Sequence, residues 1–134
     1  MKKLLAIFAL MVGFCISAAA ETQHIEGTVG KYPVVMELTY YNNGEVGGWY
    51  YYKRMGSENK ILLAGRYYLD NGYRWVELFE DDSDGYSNND YSRFDMKMSS
   101  KRQRYTTTYT YSGTFTKYRK NKATKYTIKM NGWL

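Results

Sequence analysis

The sequence predicts an all-β domain, an antiparallel meander of about eight strands curling into a small up-and-down barrel or a flattened version of one. Three observations predict it. Short runs alternating in polarity recur along residues 21–134, and Gly- or Asn-containing turns separate them. All 16 Tyr and all three Trp lie in that part, and aromatic residues favour strands. After residue 20 no run carries helical periodicity.

Residues 1–20 precede the domain and read as a cleavable secretory signal. Met1-Lys2-Lys3 is a positive head, and Leu4–Ile16 is an uncharged apolar run of 13 residues. Ser17-Ala18-Ala19-Ala20 supplies the small residues before a cut at Glu21. The run is short for a membrane anchor, which needs roughly 20 apolar residues. Cys15 follows the bulky Phe14, which argues against lipid attachment at that cysteine. The expectation is an exported protein, periplasmic or secreted, of 114 residues after processing.

The strands follow in order. His24–Gly30 alternates about Ile25, Gly27 and Val29, and Val34–Tyr41 sets Val34, Met36, Leu38 and Tyr40 in one phase. Asn42-Asn43-Gly44 predicts a hairpin turn, since Asn and Gly tolerate positive φ. Glu45–Lys53 is aromatic in both phases, with Tyr50 and Tyr52 in one and Trp49 and Tyr51 in the other. Lys60–Tyr68 carries Ile61, Leu63 and Gly65, and Asp70-Asn71-Gly72 is a second hairpin turn. Tyr73–Glu80 places Val76, Leu78 and Glu80 on one face, against Trp75, Glu77 and Phe79 on the other. After the acidic segment 81–90, Tyr91–Met98 sets Phe94, Met96 and Met98 in phase, and residues 99–104 read as a turn. A long Thr/Tyr strand, Tyr105–Tyr118, and a last strand, Thr124–Asn131, complete the count.

Short sequential connections favour antiparallel neighbours, and a meander removes its exposed edges by closing, as lipocalins and streptavidin do. Gly27, Gly48, Gly65 and Gly113 lie inside strands, where closure demands bends.

Residues 46–80 run V-G-G-W-Y-Y-Y-K, then I-L-L-A-G, then V-E-L-F-E. This order resembles a group of small exported proteins of unknown function from Gram-negative bacteria, with a Gly-aromatic strand, an I-x-L-x-G strand and an L-x-E strand. The matching residues are Tyr50, Tyr52, Ile61, Leu63, Gly65, Leu78 and Glu80, and Ser112–Phe115 resembles a later G-x-F strand of the group. The resemblance implies a β-meander and no activity. Exported lysozyme inhibitors of the small-barrel type do not fit. Their S-G-x-x-Y loop would need Tyr at Thr116, and their disulfide has no cysteines here.

Most catalytic classes lack their residues. The processed chain has no Cys and one His, His24, near the start of the domain. That disfavours a Ser-His-Asp site and excludes the usual zinc sites. Glu77 and Glu80 point to opposite faces of one strand, so a hydrolytic carboxylate pair would need another acid. Aligning Gly85 with the sixth position of an EF-hand loop puts Tyr91 where a bidentate Glu is required, which leaves a solvated turn or a looser calcium site. Charge is divided: residues 21–95 hold 13 acids and seven bases, residues 96–134 ten bases and no acid. The basic third reads as a polyanion face, or as lysines (Lys125, Lys129) pairing across strands with Glu26 or Glu37.

The resulting expectation is an exported, non-enzymatic binding module. Tyr50, Tyr52 and Trp75 supply stacking surface and Glu80 a polar contact. The ligand is an anionic glycan, a lipid head group or a peptide. No cofactor, metal or nucleic acid is expected, nor a transmembrane segment after residue 20. The alternative is a protein-interaction role, as an inhibitor or an accessory subunit of a cell-envelope assembly. A carboxylate-based hydrolase comes third.

Overall fold

The computed structural model describes residues 20–81 and 90–134. Eight antiparallel strands form one closed barrel in which each strand pairs with its sequence neighbours and the last with the first. They are β1 (Glu21–Val29), β2 (Tyr32–Tyr40), β3 (Glu45–Tyr52), β4 (Ile61–Asp70), β5 (Tyr73–Glu80), β6 (Tyr91–Gln103), β7 (Thr106–Arg119) and β8 (Lys122–Trp133). Closure is made by β1 on β8, in a register running from His24 opposite Trp133 to Val29 opposite Ile128. No helix among the described residues is long and apolar enough to cross a membrane.

The inward phase of every strand supplies the core. Ile25, Val34, Met36, Leu38, Val76, Leu78, Phe94, Met96, Ile128 and Met130 are all buried and fill the middle of the barrel. These are the phases read from the sequence, because alternation assigns each strand residue a face. The turns follow their chemistry. Asn71 and Gly72 both have positive φ, as do Lys120 and Asn121, the signature of the hairpin turn that matches strand twist.

Two features differ from expectation. β6 does not turn at Ser99. It continues to Gln103, paired with Thr106, so the turn shrinks to Arg104-Tyr105. Thr-rich β7 offers partners along that whole stretch, and pairing outweighs the polar turn-like composition. Lys125 and Lys129 hold no ion pair among the described residues. Glu26 is taken by Lys53 at 3.0 Å and Glu37 by His24 at 3.1 Å. The register explains this, since Lys129 faces Thr28 on β1 and Lys125 lies beyond the end of that pairing.

The strand starts of β1, β3, β5 and β7 lie at one end of the barrel, and this end is sealed. The Tyr111 hydroxyl donates to Gln23 Oε1 at 2.5 Å, so the Tyr40 hydroxyl, 2.7 Å away, must donate to Tyr111. Gln23 passes the chain on, its Nε2 donating to Glu21 Oε2 at 2.7 Å. Arg74 Nη1 reaches the same Glu21 oxygen at 3.2 Å, and its guanidinium lies 4.3 Å above the Tyr40 ring and 5.2 Å from that of Tyr67. Burial pushes Tyr40 up to about 12 and raises Tyr111 further.

These tyrosines give an alkaline signature. Their neutral forms are favoured in the folded state, so the stability they contribute is fully present below their usual value near pH 10. It is lost as pH rises through the folded value, about 12 for Tyr40. Phenolate absorbance is expected to rise in two stages. The late stage belongs to Tyr40, Tyr50 and Tyr111, which ionise only as the near-ultraviolet circular dichroism collapses. A single reversible stage near pH 10 with the fold retained would contradict the sealed-core description.

Candidate functional site

The opposite end carries a cleft of about 300 Å³, lined by Val29, Tyr32, Tyr52, Arg54, Phe115, Lys117 and Tyr126, with Met55 beside them. It exists because β3 does not turn directly into β4. After Tyr52 the chain makes a short 3-10 turn, Lys53–Met55, which places Arg54 and Met55 at the rim. The inward phase of β7, having placed Tyr111 and Phe115 in the core, next presents Lys117 to the same rim.

Beneath the cleft, three of the four residues that the sequence points to converge. Tyr50 is fully buried, and its hydroxyl donates to Glu80 Oε2 in a short hydrogen bond. Tyr52 lies one pleat further toward the rim, and its phenol lines the cleft. A phenol has one proton, and that of Tyr50 is committed to Glu80, whereas the Tyr52 hydroxyl can donate or accept. Burial raises both phenols, and the Glu80 charge adds to the effect. The ring of Tyr50 stands edge-on to Phe94 at 5.0 Å and to Tyr52 at 5.6 Å, which fixes both orientations.

The walls are aromatic and apolar, the rim cationic. Tyr32 meets Tyr52 edge-on at 6.2 Å, and the Arg54 guanidinium lies 5.1 Å from the Tyr32 ring. No described carboxylate forms an ion pair with Arg54 or Lys117. A cleft of this kind can hold a small molecule with an apolar or planar body. It offers a phenol hydroxyl at depth and positive charge at the entrance.

Trp75 is not part of this constellation. It lies in the outward phase of β5, on the outer wall of the barrel, opposite Tyr68 of β4. Arg54 and Lys117 are site residues that sequence reasoning misses. Lys117 carries a signal, since it shares the phase of Tyr111 and Phe115. Arg54, in an irregular turn, carries none.

No family model matches this sequence, and a search of curated proteins finds no match either. Solved structures do match in shape. A rhizavidin–biotin complex superposes with a TM-score of 0.53 at 13% identity, covering 90% of this chain and 97% of that one. The barrel has the rhizavidin fold. A short afifavidin–biotin complex matches with a TM-score of 0.52 at 12% identity, over 87% of this chain and 90% of that one. A second rhizavidin structure gives 0.53 at 13% identity, over 89% and 84%. At these identities the likeness to rhizavidin and afifavidin establishes the architecture alone.

No group of three or more His, Cys, Asp or Glu residues suited to a metal ion occurs among the described residues. The acidic segment weighed for calcium lies, over 82–89, outside the described residues. Glu77 and Asp95 face each other across β5 and β6, but Arg93 binds both Asp95 oxygens, at 2.7 and 2.6 Å.

Proposed function

We propose that the protein is a non-enzymatic binding module that takes a small organic molecule, bearing an anionic group, into the open end of its barrel. The observation that carries this reading is the asymmetry of the ends. A continuous hydrogen-bond chain from Tyr40 to Glu21 closes one, while the other holds the cleft with Tyr52 at its base and Arg54 and Lys117 at its rim. The cations draw the anionic group, Val29, Phe115 and Tyr126 pack against the body, and the Tyr52 hydroxyl hydrogen-bonds the buried end.

Biotin is the first probe, since rhizavidin and afifavidin structures are biotin complexes. A set of aromatic and aliphatic carboxylates of similar size follows. In calorimetric titration the best ligand is expected to lose at least about tenfold in affinity in Tyr52→Ala and in the double variant Arg54→Gln/Lys117→Gln. Unchanged affinity in both variants would remove the cleft from consideration.

Export belongs to the same proposal. What supports it is that β1 begins at Glu21, so a cut after Ala20 leaves every strand of the barrel intact. The mass of the chain recovered after expression with its own leader tests it: a mass beginning at Glu21 is expected, and a full-length mass would overturn it.

A second reading, a partner-protein surface, is favoured by one feature. Trp49 and Tyr51 stack at 5.9 Å on the outer wall of β3, with the half-exposed Leu62 opposite Trp49. Contiguous aromatic and aliphatic area on an outer wall suits a protein interface.

A further inference from the structure

We propose a second binding site, independent of the barrel mouth: the cleft on the outer wall of β4–β7, built around Trp75, takes a neutral saccharide. This cleft measures about 370 Å³, and Tyr68, Trp75, Glu77, Asp95, Lys97 and Ser112 surround it. Its size is at the lower end for ligand sites, suited to one or two sugar rings.

The depression follows from backbone packing. Gly113, in the inward phase of β7 between Tyr111 and Phe115, passes so close to β6 that any Cβ would overlap the Asp95 carbonyl oxygen, and this bare stretch of backbone lines the cleft between Ser112 and Asp95. One rim is aromatic. Tyr68 and Trp75 are direct cross-strand partners, and Tyr68 is half exposed. The Trp75 indole is fixed by its Nε1 donating to the Asp70 carbonyl at 3.3 Å and by Tyr73 standing edge-on at 6.3 Å. A ring held this way loses little freedom when a ligand stacks on it.

Charge selects the ligand class. Glu77 and Asp95 line one side, and a cluster of one sign would draw an ion of the other. Here Arg93 lies against both acids, at 3.9 Å from Glu77 and 2.6 Å from Asp95, and Lys97 sits 4.5 Å above the Tyr73 ring. Two acids and two bases cancel, so no net charge draws an ion to the cleft. What remains are carboxylate oxygens with spare lone pairs, the Ser112 hydroxyl, and two aromatic faces. Hydroxyl donors form strong hydrogen bonds to carboxylates, and the apolar faces of pyranose rings pack on aromatic ones. A neutral polyhydroxylated ring presents both at once.

The test is nuclear magnetic resonance titration of the full folded chain with cellotetraose and chitotetraose, and with tetragalacturonate as the charged counterpart. The neutral probes are expected to shift the Trp75 indole and the Ser112 and Gly113 amides. Binding should weaken at least about tenfold in Trp75→Ala and in Glu77→Gln, and remain unchanged in Tyr52→Ala. Tetragalacturonate should bind at least about tenfold more weakly. Three results would overturn the proposal. One is no shift at about 10 mM of either neutral probe, where even millimolar affinity registers. The others are affinity retained in Trp75→Ala, and shifts confined to the mouth around Tyr52.

Discussion

Replacing Gly48 by alanine is expected to destabilise the barrel by about 3 kcal/mol or more, while the same change at its neighbour Gly47 is expected to be neutral or slightly stabilising. The two glycines differ by one step along β3 and so by the face they occupy. Gly48 points inward and pairs with Leu38. A Cβ there would overlap the Glu37 carbonyl oxygen and lie 3.1 Å from the Leu38 Cα. Both obstacles are backbone, so relief requires β2 and β3 to separate where the barrel wall folds over. At Gly47 the nearest atom to a new Cβ is the Leu63 carbonyl oxygen at 4.0 Å, an ordinary contact. Alanine there restricts the unfolded chain more than it disturbs the folded one. Urea denaturation of both variants measures the difference, and a 3 kcal/mol loss would lower the melting temperature by roughly 10–20 °C. Equal stability of the two variants would refute the claim that close backbone approach is what requires glycine at 48.

The same contact recurs at Gly65 against the Glu77 carbonyl and at Gly27 against that of Lys129, each on a neighbouring strand. These closure points are legible in the sequence because a glycine inside an alternating run weakens the strand unless a bend or a close backbone approach requires it. Legibility ends at residues whose roles depend on distant register. Gln23 meets Tyr111 across 88 positions of sequence, and nothing local to either marks them as a pair. Two-residue periodicity is enough to put Tyr50, Tyr52 and Glu80 inside. It also puts Trp75 outside, since Trp75 alternates with the inward Val76. Grouping Trp75 with the other three joins two faces that the pleat separates. Lys117 is equally readable by phase, but a lysine in a basic stretch resembles surface charge.

The largest expected effect at the sealed end belongs to Arg74. Arg74→Ala is expected to cost about 3–4 kcal/mol, and Arg74→Met nearly as much despite its similar volume. The guanidinium does three things: it partners the Glu21 carboxylate at 3.2 Å, covers the Tyr40 ring at 4.3 Å, and fills the space between Tyr40 and Tyr67. Alanine removes all three. Methionine restores only the filling and leaves Glu21 without its cation, beside Gln23 and at the head of the tyrosine chain. The double variant Arg74→Met/Glu21→Gln should recover about half of the loss, because an amide needs no counter-charge and can still accept from Gln23. Stability of the single and double variants by chemical denaturation closes the cycle, and strict additivity would show that the two side chains act separately. The result also bears on access. Tyr40 and Tyr111 are buried because Arg74 and Glu21 lie over them. Burial is the largest cause of the upward shifts of Tyr40 and Tyr111 and outweighs the lowering exerted by the Arg74 cation. In Arg74→Ala, where water reaches them, their phenols should therefore ionise earlier in the alkaline titration, while Tyr50 at the other end keeps its late transition. Selective exposure of this kind would show that the seal is local. If Tyr50 moved together with Tyr40, the two ends would form one cooperative unit.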